Sequence, residues 1–435
     1  MMKVCKFGGT SMSTSESIRQ VASIIKADSA RKYVVVSAPG KRFKGDTKVT
    51  DLLYAAYAEK DTNGGEAIEE IRERFRALVN ELNLKIDIDS VIDEVEQGIK
   101  ASTSADYAAS RGEYLSGVVM AAFLGYKFVD AGDIIKFNTA GEFDAESTND
   151  LVSGIKKYAE GVVIPGFYGR MPNKDIKTFS RGGSDVTGSI IARGVNADLY
   201  ENWTDVNGFM VTDPRIVTNP RIMDVLSYEE LRELAYMGAS VLHPDSIFPL
   251  RANGTAINIR NTFEPEAKGT FIVPSTAGYE NLPTVTGIAG KTGNITITIT
   301  KSLMNSELGF GRKILSVLER NGVSFEHMPT GIDTMSIVIT EAGLKCSIDK
   351  VVDGIKGAVN PDTIEVTHSL ALIAVVGHGM ANEIGTAAKI FNALYEASIN
   401  IRMIDQGSSE MNIIIGVEEC DYESAIRAIY SAFFK

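Results

Sequence analysis

KFGGTSMSTSE, residues 6–16, is the stretch on which the reading of this chain turns. The run Val4 to Phe7 reads as a strand, and it leads straight into two adjacent glycines, Gly8 and Gly9. Paired glycines at a strand end mean that the backbone approaches something closely or turns through positive φ. Ser13-x-x-Glu16 has capping-box spacing, which predicts a helix starting near Thr14. A helix start leaves free N–H groups and a positive dipole end beside the glycines. This is not a Walker A loop, because Lys6 precedes the glycines instead of following them. A lysine, bare amides and a helix start are what an anion site needs. The same residues also make a tight bend, and this stretch alone leaves both readings open.

Outward from this turn, strands and helices alternate over the first 260 or so residues. VVVSA (34–38) and GVVIPGF (161–167) read as short β-branched strands, and DLYENWTD (198–205) as another. SADYAASRGEYLSGVVMAAFLG (104–125) has a helical pattern that ends at Gly125. GSDVTGSIIARG (183–194) reads as a helix with a glycine-rich start. SYEELRELAYMG (227–238) opens on a capping box, Ser227 with Glu230, and closes on Gly238. Such alternation predicts an α/β domain with a largely parallel sheet, whose ligands bind at the carboxyl ends of strands.

The stretch EPEAKGTFIVPSTAGYENLP (264–283) is rich in proline and glycine and reads as a linker. Beyond it lies an internal repeat. Residues 307–339 align without a gap on 383–415, at an offset of 76 (383 minus 307). Gly309 matches Gly385, Lys313 matches Lys389, Ile314 matches Ile390, Gly331 matches Gly407 and Met335 matches Met411. An ungapped repeat signals a duplicated unit, here strand, helix, strand, strand, helix. The first copy continues into DTIEVTHS (362–369), whereas the second runs out after its helix and leaves an open edge. TVTGIAG (284–290) is the spare strand expected to fill that edge, so that the copies interlock.

The bulk numbers bound the rest. At 435 residues, 44% hydrophobic and 23% charged, the chain has globular composition and room for two or three domains. A net charge of −12 argues against a nucleic-acid partner or an anionic membrane surface, so any positive field has to be local. The three cysteines lie far apart and the four histidines show no metal-ligand spacing, so no metal ligands are assigned. No basic, apolar leader precedes the first strand, and the expected location is the cytoplasm.

A second glycine turn, SRGGSD (180–185), joins a strand end to a helix whose first turn carries Ser184 and Asp185. With the first turn it provides two flanks for a polyphosphate. Arg181 offers a planar fork for a carboxylate or phosphate, or is a surface arginine beside a cap. Glu113 sits mid-helix among small and apolar residues. Thr50 opens a helix in KVTDLL (48–53), where its hydroxyl either caps the helix or meets a ligand.

KFGGTS (6–11), VVSA (35–38), SRGE (110–113), SRGGSD (180–185), WTDVNG (203–208), TDPR (212–215) and GASVLHP (238–244) occur in this order. Together they resemble the aspartate kinases of the amino-acid kinase superfamily, over essentially the whole chain. The repeat resembles that family's paired ACT domains. The resemblance implies an α/β fold: a carbamate-kinase-like α/β/α sandwich with a mainly parallel sheet, then two interlocked βαββαβ ACT domains. It implies boundaries at 1–263 for the kinase domain and 264–283 for the linker. The first ACT domain would be 294–369, and the second 284–293 plus 370–435.

The implied reaction is ATP plus L-aspartate to ADP plus 4-phospho-L-aspartate, with Mg2+ accompanying the ATP. It is the first step toward lysine, threonine and methionine. A carboxylate nucleophile is already ionised at neutral pH, so no general base is needed, and catalysis rests on positioning and positive charge. By resemblance Lys6 and Asp185 are catalytic. Lys6, Phe7, Gly8 and Gly9 hold the phosphoryl group from one side, and Gly182, Gly183 and Ser184 face it. Thr204, Asp205, Phe209 and Arg215 fall in the nucleotide segment. Arg181 would fork onto a substrate carboxylate, Glu113 would take the α-ammonium, and Ser37 and Thr50 match substrate-side hydroxyls. Ser240 stands where the family often has a phosphate-side lysine, with Arg215 as the candidate substitute, and Ser180 replaces a frequent glycine.

The implied effector site in the first repeat is Met304, Phe310, Gly311, Ser324, Glu326 and Thr330. Glu326 would hold an ammonium, which favours lysine over threonine. The lysine-sensitive pattern more often has aspartate there and a further acid where Ile332 stands, with Asp333 adjacent. A homo-oligomer built through the ACT domains is the implied assembly. No segment follows Lys435 to hold a fused homoserine dehydrogenase, so a stand-alone kinase is expected. Two other readings compete: a kinase for glutamate, acetylglutamate or a nucleoside monophosphate, and a catalytically weak or inactive amino-acid sensor on a kinase scaffold.

Overall fold

The computed structural model describes residues 1–61, 65–180, 182–239, 242 and 244–435. Contacts divide the chain into two compact units. One holds Met1–Phe209, Ile222–Leu231 and Ser240–Ala277, and the other Met210–Arg221, Arg232–Ala239 and Gly278–Lys435.

The first unit contains strands β1 Lys3–Phe7, β2 Arg31–Val36, β3 Lys127–Phe128, β4 Val162–Pro165, β5 Tyr168–Arg170, β6 Ile176–Thr178, β7 Leu199–Thr204, β8 Val225–Ser227, β9 Ala256–Asn261 and β10 Thr270–Val273. Strands β5 and β6 form a separate antiparallel hairpin. The others make one eight-stranded sheet in the order β3-β4-β2-β1-β7-β9-β10-β8. Its pairs are parallel except β9 with β10.

Period-two alternation sorts the strand residues onto two faces. Cys5, Phe7, Val34, Val36, Val163 and Trp203 join one apolar core with the helices Ser15–Lys26, Val49–Ala58, Glu66–Glu81, Ile88–Ala101 and Ala105–Leu124. The other face of β1, β2 and β7 packs on the helix Gly183–Val195. Helices thus cover both faces, and strands buried on both sides read as unbroken apolar runs.

Two start signals behave differently. Ser227 and Glu230 form a reciprocal capping box: the Ser227 N–H donates to Glu230 Oε2 at 2.7 Å, and the Glu230 N–H donates to Ser227 Oγ at 3.1 Å. Near the first turn the cap is Thr14, whose hydroxyl accepts the Ser17 N–H at 3.2 Å, and the helix runs Ser15–Lys26. Ser13 instead donates its hydroxyl to the Thr10 carbonyl, closing a short 3-10 turn, Thr10–Met12, that separates the glycines from the helix. Thr14 takes up the Ser17 N–H, and the 3-10 turn sets the helix start off from the glycines.

The expected linker, 264–283, contains β10, a strand of the first sheet. Its FIV core is short, and the flanking glycine and proline hid it. Part of the expected kinase run, 210–221 and 232–239, belongs by contacts to the second unit. There the Ile288 N–H donates to the Val211 carbonyl at 2.7 Å, and the Arg221 N–H to the Tyr430 hydroxyl at 3.0 Å.

The second unit also contains β11 Gly287–Thr300, β12 Thr334–Thr340, β13 Thr363–Val376, β14 Met403–Asp405 and β15 Asn412–Glu418. They form one antiparallel sheet, β12-β11-β13-β15-β14. Strands β11 and β13 are long enough to serve both repeats. Asn294–Thr300 of β11 lies between β12 and the first half of β13, while Gly287–Lys291 pairs with Leu372–Val376 in the second repeat. The register shifts between Lys291 and Asn294, where one repeat gives way to the other. Helices Phe310–Arg320 and Ile348–Val359 pack on the first repeat, and Thr386–Glu396 and Tyr422–Phe434 belong to the second.

Candidate active site

Strands β4, β2, β1 and β7 lie side by side and parallel, so their carboxyl ends open on one edge of the sheet. The turns after them carry Gly166, Ser37, Gly8 with Gly9, and Asp205. The first two turns near the centre lock backbone to backbone. The Gly40 N–H donates to the Gly9 carbonyl at 2.8 Å, and a Cβ on Gly9 would stand 3.0 Å from the Ala38 carbonyl oxygen.

Lys6 and Asn202 are register partners across β1 and β7. Alternation points both to the face covered by the helix Gly183–Val195. The first turn of that helix brings Asp185 Oδ1 to 2.6 Å from Lys6 Nζ, and Asn202 Nδ2 donates to the same oxygen at 2.9 Å. Lys6 is only 8% exposed, so little water screens this pair. Gly182 starts the helix at φ 66, in the left-handed region. Its carbonyl accepts the N–H groups of Asp185 and Val186. The amides of Gly183 and Ser184 precede the first intrahelical bond and remain as donors. The two glycine turns thus converge on one ammonium and one carboxylate.

Glu113 enters the same region from the middle of the helix Ala105–Leu124. Ser184 Oγ donates to its Oε1 at 3.5 Å, and its Oε2 has no partner among the described residues. Burial pushes the carboxyl up to about 7, outweighing the backbone amides and Ser184 that lower it. The sign for stability follows. A raised acid favours the folded state below its unfolded value, and that stability is lost as pH rises toward 7. Glu113→Gln is therefore expected to flatten the stability profile between about pH 4.5 and 7, and to stabilise the ligand-free protein by about 1–3 kcal/mol at pH 8. Urea unfolding across that range checks it, and a variant less stable than wild type at pH 8 contradicts it.

Other expected residues fall in different places. Gly8 donates its N–H to the Trp203 carbonyl at 3.0 Å, so the glycine amide left for a phosphate on this turn is that of Gly9. Phe7 is fully buried with its ring stacked on Trp203, and Phe209 is 1% exposed, so neither side chain meets a ligand. Asp205 lies at the turn edge, accepting the Thr10 hydroxyl at 3.0 Å and the Thr204 hydroxyl at 3.2 Å. Ser37 stands just after β2, its N–H bonded to the Phe7 carbonyl at 3.1 Å. Thr50 lies inside the first turn of the helix Val49–Ala58 and does not cap it. Arg215 belongs to the second unit, where its exposed side chain forks onto Asp213 at 2.6 Å. Arg181, Ser240 and His243 lie outside the described residues. Asn202 escaped the sequence reading, although the alternation in LYENWT places it on the same face as Tyr200.

The Amino acid kinase family matches residues 1–261, and an ACT domain family matches residues 373–433. Aspartokinase 3 of Bacillus subtilis is 39% identical over 100% of this chain and 99% of its own length. The chain belongs to the aspartokinases of the amino acid kinase family. It is accordingly an enzyme, a phosphotransferase with a carboxyl group as acceptor. The aspartate kinase of Clostridium acetobutylicum is 51% identical and matches in structure with a TM-score of 0.94, over 99% of this chain and 100% of that one. Aspartokinase III of E. coli is 25% identical over 100% of both chains. It matches with a TM-score of 0.76 when in complex with aspartate and ADP in its R-state, and 0.74 with lysine and aspartate in its T-state.

In this aspartokinase the expected effector residues are spread along the first repeat, with Gly311 in the first turn of the helix Phe310–Arg320 and Ser324 beyond its last. Met304 and Phe310 are buried in its core, so their side chains hold the loop in place and do not line an open site. Gly311 follows Phe310 in the first turn of the helix Phe310–Arg320. Ser324 and Thr330 are exposed on the edge that bridges to β12, where the Glu326 N–H donates to the Val338 carbonyl at 2.7 Å. Glu326 does not stand free: Lys291 Nζ lies 2.5 Å from its carboxylate. Asp333, beside the exposed Ile332, accepts the Leu303 N–H at 2.9 Å and closes the loop.

Proposed function

We propose that the chain transfers the γ-phosphoryl group of ATP to the side-chain carboxylate of L-aspartate, giving 4-phospho-L-aspartate and ADP. The observation that carries this reading is the 2.6 Å contact of Lys6 with Asp185 between two converging glycine turns. An anion attacking a polyanion needs a preorganised cation and amide donors more than it needs a base. Lys6, the Gly9 amide and the amides of Gly183 and Ser184 supply that set, while Asp185 and Asn202 aim the ammonium. Gly182 shapes the turn, and Thr204 and Asp205 edge the nucleotide side. Mg2+ would be held with the nucleotide by its phosphates and water, and would offset the phosphate charge there. Among the described residues no group of three or more His, Cys, Asp or Glu side chains is placed to hold a metal.

Glu113 takes the substrate's α-ammonium, with Ser37 and Thr50 beside it and Arg181 forking onto a substrate carboxylate. An ammonium beside Glu113 favours its ionised form, so aspartate binding releases a proton below about pH 7. KM for aspartate is therefore expected to fall as pH rises from 6 to 8, more steeply in wild type than in Glu113→Gln. Arg181→Ala is expected to raise KM for aspartate more than KM for ATP, and equal increases contradict its role.

The ligands of the E. coli relative support aspartate as substrate and ATP as donor, and they favour lysine as the feedback effector. On this reading the product feeds lysine, threonine and methionine synthesis in the cytoplasm. The repeats act as two ACT domains, 294–369 and 284–293 plus 370–435, that follow a kinase domain whose last strand is β10. They bind the effector and join subunits into a homo-oligomer. Among the described residues no helix is long and apolar enough to cross a membrane. A coupled ADP-release assay tests the function directly. ADP release that requires aspartate and is inhibited by lysine is expected. Release with glutamate or acetylglutamate but not with aspartate would overturn it.

A further inference from the structure

The effector reading places a ligand ammonium on Glu326, and the chain already supplies one. Lys291 Nζ lies 2.5 Å from Glu326 Oε2, with the carboxylate side chain 10% and the lysine side chain 21% exposed. The same Nζ sits 4.4 Å from the centroid of the Tyr236 ring, and the Tyr236 hydroxyl bonds to Glu326. A mostly buried carboxylate with an aromatic wall and a phenol beside it is a cage for an ammonium. Its three members come from distant stretches: the end of the helix Tyr228–Tyr236, the register shift in β11, and the outer edge of the first repeat. Lys291 stands where the ladder changes partners, and a bulge of this kind re-aims a side chain.

We propose that Lys291 fills the ammonium pocket of the first repeat, and that an amino-acid effector binds there by displacing it. Lys291 is then a determinant of effector affinity. The inference rests on the effector reading above. An ammonium tethered in a site lowers the apparent affinity of a free one by the fraction of sites it leaves open. A cation is needed for that competition, and Arg conserves it where Met does not.

The test is calorimetric titration of the full-length enzyme with L-lysine, comparing wild type, Lys291→Met and Lys291→Arg. Binding to Lys291→Met is expected to tighten by about tenfold, while Lys291→Arg stays near wild type. Lys291→Gln replaces the Met variant if that one fails to fold. Equal or weaker binding by the uncharged variant overturns the competition and leaves the effector reading intact. Lysine binding that appears only in the uncharged variant supports the proposal. Silence from wild type and uncharged variant alike removes lysine as the effector, and the proposal with it.

Discussion

Lys6→Ala is expected to lower turnover by about 10²–10³, the loss that follows removal of one preorganised electrostatic donor. Lys6 projects from β1 onto the face covered by the helix Gly183–Val195, 2.6 Å from Asp185 and 8% exposed. At that depth its charge acts through little water, so no solvent cation replaces it. The fold should survive the change, because Asp185 keeps its bond from Asn202 at 2.9 Å. A coupled ADP-release assay on a variant with unchanged thermal melting isolates the chemical step. Near-normal turnover would sink the assignment of the site.

Glu201→Ala is expected to cost about 3–5 kcal/mol of stability, as removal of one member of a buried ionic cluster does. Glu201 is fully buried on the opposite face of β7 from Asn202. It accepts bonds from Arg31 Nε at 2.8 Å, Lys3 Nζ at 3.0 Å and Trp203 Nε1 at 3.0 Å. The guanidinium groups of Arg31 and Arg260 both lie over the Trp203 ring, 5.2 and 4.5 Å from its centroid. Burial opposes the Glu201 charge, but Arg31 and Lys3 outweigh it and hold the carboxyl below its ordinary value. A group lowered in this way stabilises the fold above its unfolded value, and that contribution fades as pH falls through the folded one. Deleting the carboxylate strands the buried Arg31 guanidinium and the Trp203 N–H, while Lys3 keeps Asp28 at 2.8 Å. Urea unfolding of the first unit measures the loss, and a change under about 1 kcal/mol would show the cluster to be replaceable.

Much of the site was legible because it is local. The glycine pairs at 8–9 and 182–183 each mark a strand–helix junction, and backbone geometry at such a junction depends on a few neighbouring residues. The Ser227–Glu230 box and the Gly125 stop were readable for the same reason. What failed turned on distant partners. Gly8 lost its free amide to Trp203, a residue nearly two hundred positions away. Glu326 looked like an open acid until β11 placed Lys291 against it.

Unaided, the order of residues determined the alternating α/β region, the glycine turns, the repeat at an offset of 76 (383 minus 307) and the family they resemble. Each is a matter of spacing along one chain. Tertiary structure alone decided which charges meet: Lys6 with Asp185, Arg31 with Glu201, Lys291 with Glu326. The reason is physical. Strand register and the helix laid across it set which side chains share a face, and a shift of one residue would send every one of them to the other side.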